Sequence, residues 1–517
     1  MSGTARQNRA TGLAYSLSNK IAAAESWPAN WVAAGCLVLF VAAWTFHGVV
    51  AGAGRTLHPD VFEAYSWGRE FQLGYNSHPP FWAWIAGAWF LVFPETNASF
   101  VLLEALNAGL GLLGAWMLTG LFAKGPARHG AALLLLATQF YTMMAFRFNA
   151  NTIFVSLWPW TLFFFVKSID DMRMRDAALF GAFAAACMLS KYYAVILLMT
   201  CGLSLLYHQN GRKYVFSAGP WVAAAVFTAL VLPHVIWSLK AGTPSVSYAM
   251  AHTGKGWLTS INYALLFFLK AALNNAGVLA LILLAWWLSK NAGTGEPVER
   301  LPRWRLQFLA VLVLAPLLLT AAFGLAFQLG FKLDIVMAVG IFPLVPLYLM
   351  QFVAPLDARR SFQIAVAAAA VVTVATVAAA PLEGAMMAKK SAPSIDEPRQ
   401  ELAEAVTELW HTETHTRLRY AGAQLAYAHS IGFYSEDHPS NFIDLSYTKA
   451  RWVTPEKIKQ YGLLIACVHE DSECLGRAAT LLSGKWKQFS MNLAHRIGTR
   501  RSPEVAFDIF IMPPQPG

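Results

Sequence analysis

Long apolar runs alternate with short polar connections from residue 31 to residue 382, after which the chain changes character. A bilayer core of about 30 Å is crossed by about 20 apolar helical residues. By that measure the pattern predicts eleven spans, near 31–50, 99–122, 130–146, 151–168, 176–190, 192–208, 217–239, 262–288, 306–326, 333–353 and 362–382. The run 80–95 is apolar but short, opens at Pro79-Pro80 and carries Trp82, Trp84 and Trp89. Those features suit a helix lying in the membrane interface. The start, MSGTARQNRA, is polar and basic, and no small-residue cleavage site follows the first run, so a retained anchor is expected in place of a signal peptide.

From residue 383 to 517 the sequence is charged and turn-rich, which predicts a soluble domain with its own core behind a transmembrane domain of residues 1–382. Residues 396–413 repeat their apolar positions with a helical period, whereas NFIDL (441–445), LLIACV (463–468) and VAFDIFIM (505–512) read as strands. The expected fold is an α-helical polytopic membrane protein with a C-terminal α/β domain. Cys467 and Cys474 flank VHEDSE, and their spacing leaves a short-loop disulfide open; Cys36, Cys187 and Cys201 fall within spans.

Composition agrees with many spans. The chain is 56% hydrophobic and 13% charged, with 19 Trp and 34 Phe, and it excludes a soluble protein throughout. Lys124 and Arg128, Lys167 to Arg175, Arg212-Lys213, Lys290 to Arg305 and Arg359-Arg360 fall on one side of the eleven spans, which the positive-inside rule makes cytoplasmic. Residues 51–98, Arg147 to Asn151, Lys191-Tyr192, 240–261, 328–334 and the C-terminal domain are then external. The formal charge of +10 belongs mainly to the inside loops and a basic tail, so nucleic acid is not an expected partner; membrane lipids are. No CxxC pair, HExxH, dinucleotide glycine fingerprint or P-loop occurs. Near the C-terminus, Lys485, Trp486, Lys487, Arg496, Arg500 and Arg501 form either a solvated basic face or a contact for acidic headgroups.

Polar chemistry concentrates in the first external loop, LHPDVFEAYSWGREFQLGYNSHPPFWAW (57–84). Asp60 and Glu63 are three apart, so on a helix they share a face and can meet one ligand or one hydroxyl; the plainer alternative is a pair of helix-start acids. A carboxylate beside Trp67 and other rings would have a raised pKa. His78 precedes two prolines whose presence helix entry alone explains.

Several motifs resemble one family. E-A-Y-S-W-G followed by G-Y-N-S-H-P-P-F-W-A-W resembles the first external loop of the polyprenyl-phosphate-dependent GT-C glycosyltransferases, in the branch of the protein mannosyltransferases and the lipid A aminoarabinose transferase. R-F-N-A-N-T (147–152) with S-L-W-P-W (156–160), M-L-S-K-Y-Y-A (188–194), and F-K-L-D (331–334) leading to F-P-L-V-P-L (342–347) are similar to later motifs of that family, in the same order.

The resemblance implies an inverting transfer of a sugar from a polyprenyl-phosphate donor to a glycan, lipid or protein acceptor at the periplasmic face of a bacterial inner membrane. Asp60 would be the base, with Glu63 orienting the acceptor or sharing that role; Phe62 stands where the family more often has a second acid next to Glu63, so the choice stays open. Lys191 and Lys332 would bind the donor phosphate, with Arg147, Lys255 and His252 as further cations on that face. Snorkelling to headgroups is the alternative for each lysine. Tyr65, Trp67, His78, Asn149, Asn151 and Tyr192 are candidates for substrate contact, and Asn149 and Asn151 serve equally well as helix caps. No cofactor is required; Asp60, Glu63 and Asp334 could supply oxygen ligands to Mg²⁺ or Mn²⁺. A non-catalytic lipid or glycolipid transporter is the competing expectation, although transporters usually bind near the bilayer midplane.

Overall fold

The computed structural model describes residues 28–251, 253–292, 296–328, 342–391, 396–482, 484–498 and 500–515. Among these, six helices are long and apolar enough to cross a membrane: α1 (Pro28–Ala51), α4 (Asn97–Thr119), α10 (Gly219–Lys240), α12 (Trp257–Ala292), α13 (Arg303–Ala326) and α15 (Ala358–Lys389). The chain is a multi-pass membrane protein. Four other expected spans are shorter helical segments: α5 (Gly125–Leu133) with the 3-10 turn Leu134–Ala137, α6 (Phe154–Asp170), α7 (Met174–Met188), and α8 (Val195–Ser204) between two 3-10 turns. The span expected at 333–353 falls largely outside the described residues, beyond which lie α14 (Val345–Met350) and α15.

The expectation of a span through 130–146 needs correction. Helical structure ends at Ala137, and residues 138–153 form a turn-rich segment. Non-helical backbone inside a membrane protein persists only where other protein groups satisfy its N–H and C=O groups. Here Thr138, Thr142 and Thr152 bond back to carbonyls, and side chains of α4 reach the segment as well.

α2 (Pro59–Glu70) and α3 (Phe81–Phe90) build the first loop. Their backbones nearly touch. A Cβ added to Gly68 would lie 2.3 Å from the Ala83 carbonyl oxygen, and one on Gly87 would lie 2.3 Å from that of Gly68, so this crossing requires glycine on both sides. α3 is a short apolar helix, and its first residue, Phe81, donates its N–H to the Leu189 carbonyl at the end of α7. At the opposite end of the bundle, Asp170 of α6 pairs with His208 at 3.1 Å and with Arg305 of α13 at 3.5 Å.

The compositional change at 383 falls within the last turns of α15, and the helix Arg399–Thr414 opens the C-terminal α/β unit. Its sheet has the order β2-β1-β3-β7-β4, with β1 (Tyr420–Ala423), β2 (Ser440–Ile443), β3 (Leu463–Val468), β4 (Lys487–Leu493) and β7 (Val505–Met512). β1 runs parallel to β2 and β3, whereas β7 is antiparallel to β3 and β4. A separate ribbon pairs β5 (Arg496–Ile497) with β6 (Arg500–Arg501). Cys467 and Cys474 form a disulfide that ties the end of β3 to the helix Ser472–Leu481.

This unit packs on the back of α2. Phe62 and Tyr65 meet Phe433 at ring separations of 5.3 and 5.0 Å. Asn441 donates to the Ser66 hydroxyl at 2.6 Å, the Ser440 hydroxyl donates to Glu70 at 2.7 Å, and Arg69 donates to the His438 carbonyl.

Candidate active site

His58 caps α2 by accepting the Asp60 N–H, and Pro59 occupies the first turn, where its missing donor costs nothing. The helix that follows places Asp60 and Glu63 on one face, as their spacing predicts. Phe62, Tyr65, Ser66 and Arg69 point to the C-terminal domain on the other. Burial first, and the Asp60 charge second, push the Glu63 carboxyl up to about 8.

Opposite the acids lies the segment 147–152. Asn149 donates through Nδ2 to Asp60 Oδ2 at 3.4 Å, and its own Oδ1 accepts the N–H groups of Asn151 and Thr152. Asn151 Oδ1 accepts from Lys191 Nζ at 2.5 Å. Lys191 stands between the end of α7 and the 3-10 turn Tyr192–Ala194. Burial lowers its ammonium to about 8, and the nearby Asp60 charge works against that fall. Asp60, Glu63, Asn149, Asn151 and Lys191 therefore form one constellation drawn from three separate stretches of chain. Arg147 is exposed beside it and acts on His58, whose imidazole is lowered chiefly by burial.

His78 joins the same neighbourhood. Its ring lies 6.4 Å from Trp67, 6.1 Å from Trp82 and 6.0 Å from Tyr248. Burial, with the Lys191 charge second, holds it down to about 3, so it is a neutral imidazole. Tyr248, on α11 (Pro244–Met250), has its hydroxyl raised by burial and then by Glu63 and Asp60. Neither Tyr248 nor His58 was singled out in the sequence, although the His-Pro-Asp helix start was a signal for the latter.

Other candidates take different places. Tyr65, fully buried, donates to Glu95 at 3.1 Å, and Trp67, 3% exposed, stacks on Tyr75; both are packing groups and present no open face to a ligand. Tyr192 donates to His234 Nε2 at 2.8 Å, and His234 donates from Nδ1 to the Leu73 carbonyl at 2.7 Å, so His234 ties α10 to the first loop and Tyr192 holds that histidine. Lys255 is exposed, in a turn whose backbone bonds to Gln328. Lys332, Asp334 and His252 lie outside the described residues. Among the described residues no three His, Cys, Asp or Glu side chains are grouped to hold a metal ion.

Two groups that an apolar span concealed complete the site. Glu104 and Asn107 lie on α4, 6% and 4% exposed, and both reach the 147–152 segment. Glu104 Oε1 accepts the Phe148 N–H at 3.0 Å, and Asn107 Nδ2 donates to the Thr152 carbonyl at 2.8 Å.

Residues 77–237 match the family described as dolichyl-phosphate-mannose-protein mannosyltransferase. No curated protein matches the chain. Among solved structures, ArnT from Cupriavidus metallidurans in the apo state superposes with a TM-score of 0.56 at 14% identity, covering 94% of this chain and 98% of that one. The oligosaccharyltransferase of Archaeoglobus fulgidus in complex with Zn and sulfate gives a TM-score of 0.40 at 14% identity, covering 84% of this chain and 68% of that one. The chain is thus a multi-pass membrane protein with the GT-C fold, and its residues 77–237, which carry His78, Asn149, Asn151 and Lys191, are similar to the mannosyltransferase family.

Proposed function

We propose that the protein is an inverting glycosyltransferase that moves a sugar from a polyprenyl-phosphate donor to a glycan, lipid or protein acceptor at the periplasmic face of the inner membrane. The observation that carries this is the placement of two carboxyl groups, Asp60 and Glu63, across an asparagine bridge from the half-buried Lys191. An acid and a cation held apart in this way suit a displacement in which a hydroxyl is deprotonated on one side and an anionic leaving group departs on the other.

In the proposed reaction Asp60 accepts the proton of the acceptor hydroxyl as its oxygen bonds to the anomeric carbon. The bond from that carbon to the donor phosphate oxygen breaks, and the electron pair leaves with the lipid phosphate. Lys191 stabilises the charge that develops there, and Arg147 is available at the surface. Glu63 retains its proton at neutral pH because of its raised pKa, so it is the carboxyl able to donate a hydrogen bond to substrate, and the base role goes to Asp60. No divalent cation is needed in this scheme, because Lys191 supplies the charge. The disulfide supports an oxidising, external setting for the C-terminal domain.

The test is transfer of radiolabel from a panel of polyprenyl-phosphate sugars to a membrane-glycan extract by the purified protein in lipid. Wild type should transfer label from one donor, and Asp60→Asn should lower the rate by about 10²–10⁴-fold. Absence of transfer from every donor, with donor lipid still bound, would favour a carrier over an enzyme.

A further inference from the structure

The four positions Glu104, Asn107, Gly111 and Gly114 form one stripe along α4, at intervals of three and four residues. The lower half is bare of side chains. A Cβ on Gly111 would lie 2.3 Å from the Val155 carbonyl oxygen, and one on Gly114 would lie 3.0 Å from the Trp160 ring, so α4 and α6 approach too closely there for a larger residue. The upper half is polar and meets the segment that leads into α6. Besides the bonds to Phe148 and Thr152, the Ser156 hydroxyl donates to Asn107 Oδ1 at 2.6 Å. The segment is closed internally as well: Thr152 Oγ1 donates to the Arg147 carbonyl, and Asn149 donates its N–H to Thr152 Oγ1.

We infer that Glu104 and Asn107 are positioning residues, which fix the register of the 147–152 segment so that Asn149 meets Asp60 and Asn151 meets Lys191. This rests on the site proposed above. Two anchors are needed because the two asparagines must act together. Glu104 holds the backbone immediately before Asn149, and Asn107 holds it immediately after Asn151. With both ends tied to a helix that the glycine seam locks against α6, the segment between them has little freedom to slide or twist. Each bonds backbone next to one of the asparagines, so each acts through the asparagines. The role asked of Glu104 is that of an acceptor for one N–H, which a glutamine also supplies.

The experiment measures acetylation of Lys191 by limiting acetic anhydride, read by mass spectrometry against exposed Lys255 in the same molecule. This readout does not depend on any sugar, so it stands even where no donor is transferred, and a missing activity then counts only against the proposed function. Glu104→Leu and Asn107→Leu should each change the Lys191 to Lys255 ratio several-fold, and Glu104→Gln should leave it near the wild-type value. Ser156→Ala, which removes one bond to Asn107, is the mild variant that keeps the test open if the leucine variants do not fold; it should shift the ratio in the same direction by a smaller factor. With an active donor, Glu104→Leu should lower kcat more than it raises the donor KM, and Glu104→Gln should restore kcat. An unchanged ratio in folded Glu104→Leu or Ser156→Ala protein overturns the inference, as does a Glu104→Gln protein that behaves like Glu104→Leu.

Discussion

Lys191 and Asp60 are joined through a bridge two residues apart in sequence: the lysine donates to Asn151, and Asn149 donates to the aspartate. The bridge keeps opposite charges near each other without letting them collapse into a direct ion pair. A direct pair would neutralise both groups and fill the space between them, whereas an asparagine bond leaves the acid free to take a proton and the cation free to meet an anion.

The pH dependence of transfer follows from Lys191. Its ammonium is lowered to about 8, so the rate should fall as pH rises through that value. Glu63 titrates in the same region, and the two are separable. Glu63→Gln should keep the alkaline limb; Lys191→Arg should move it above about pH 9, because a guanidinium stays charged. A limb that vanishes in Glu63→Gln would transfer the titration to the carboxyl. Stability gives a second check. Glu63 is raised in the fold from an ordinary 4.5 to about 8, so its contribution is complete below 4.5 and is lost as pH rises through 8. Glu63→Gln should flatten the melting temperature across that window.

Gly68→Ala should separate α2 from α3. The new methyl would meet backbone at 2.3 and 2.5 Å, which no rotamer relieves. A cost of about 1–3 kcal/mol is expected for such overpacking. The melting temperature of the purified protein measures it, and an unchanged value would mean that the helices yield without penalty. Any residual transfer should be slower than wild type, because Asp60 and Glu63 ride on the displaced helix.

Docking of the C-terminal domain should weaken at alkaline pH. His495 Nε2 donates to the Gly54 carbonyl at 3.0 Å while Nδ1 faces Glu401 Oε1 at 2.8 Å. With an acceptor at each nitrogen the imidazolium is favoured, and the bond to Glu401 is the leading cause that raises the group above its ordinary 6.5. A raised histidine stabilises fully below 6.5, and that contribution disappears as pH rises through the higher folded value. Glu401 is lowered by the same partner, so its share disappears only as pH falls below the ordinary carboxylate range. Limited proteolysis between the two parts of the molecule should therefore accelerate in mildly alkaline buffer. His495→Gln should remove most of that pH dependence, and a proteolysis rate that still follows pH in this variant would assign the effect elsewhere.

Much of this architecture was legible in the residues, and the exceptions have physical causes. β3 and β7 appear at their expected positions because both are predominantly apolar and mostly buried, with Asp508 the one charged residue in β7. β1 went unread because Tyr-Ala-Gly-Ala is short and small, and β4 because an edge strand exposes alternate polar residues. The six long helices fall on expected runs, and so do α6, α7 and α8, at the runs 151–168, 176–190 and 192–208, although each of these three is shorter than twenty residues. In the site, Asp60, Glu63, Asn149, Asn151 and Lys191 stood out as polar groups where apolar spans end. Glu104 and Asn107 did not, since a single acid and a single amide inside an apolar helix leave its hydropathy intact. What identifies them is the backbone they satisfy, and that is a property of the folded chain.

α2 serves two masters with one axis. Its front carries the acids and its back is bolted to the C-terminal α/β domain through Phe62, Tyr65, Ser66, Arg69 and Glu70. A free surface helix of twelve residues would roll and fray. The C-terminal domain removes that rotation, so it governs the aim of Asp60 and Glu63 from behind. A chain ending after α15 would keep its spans and its lysine, yet its acids would swing with an untethered helix.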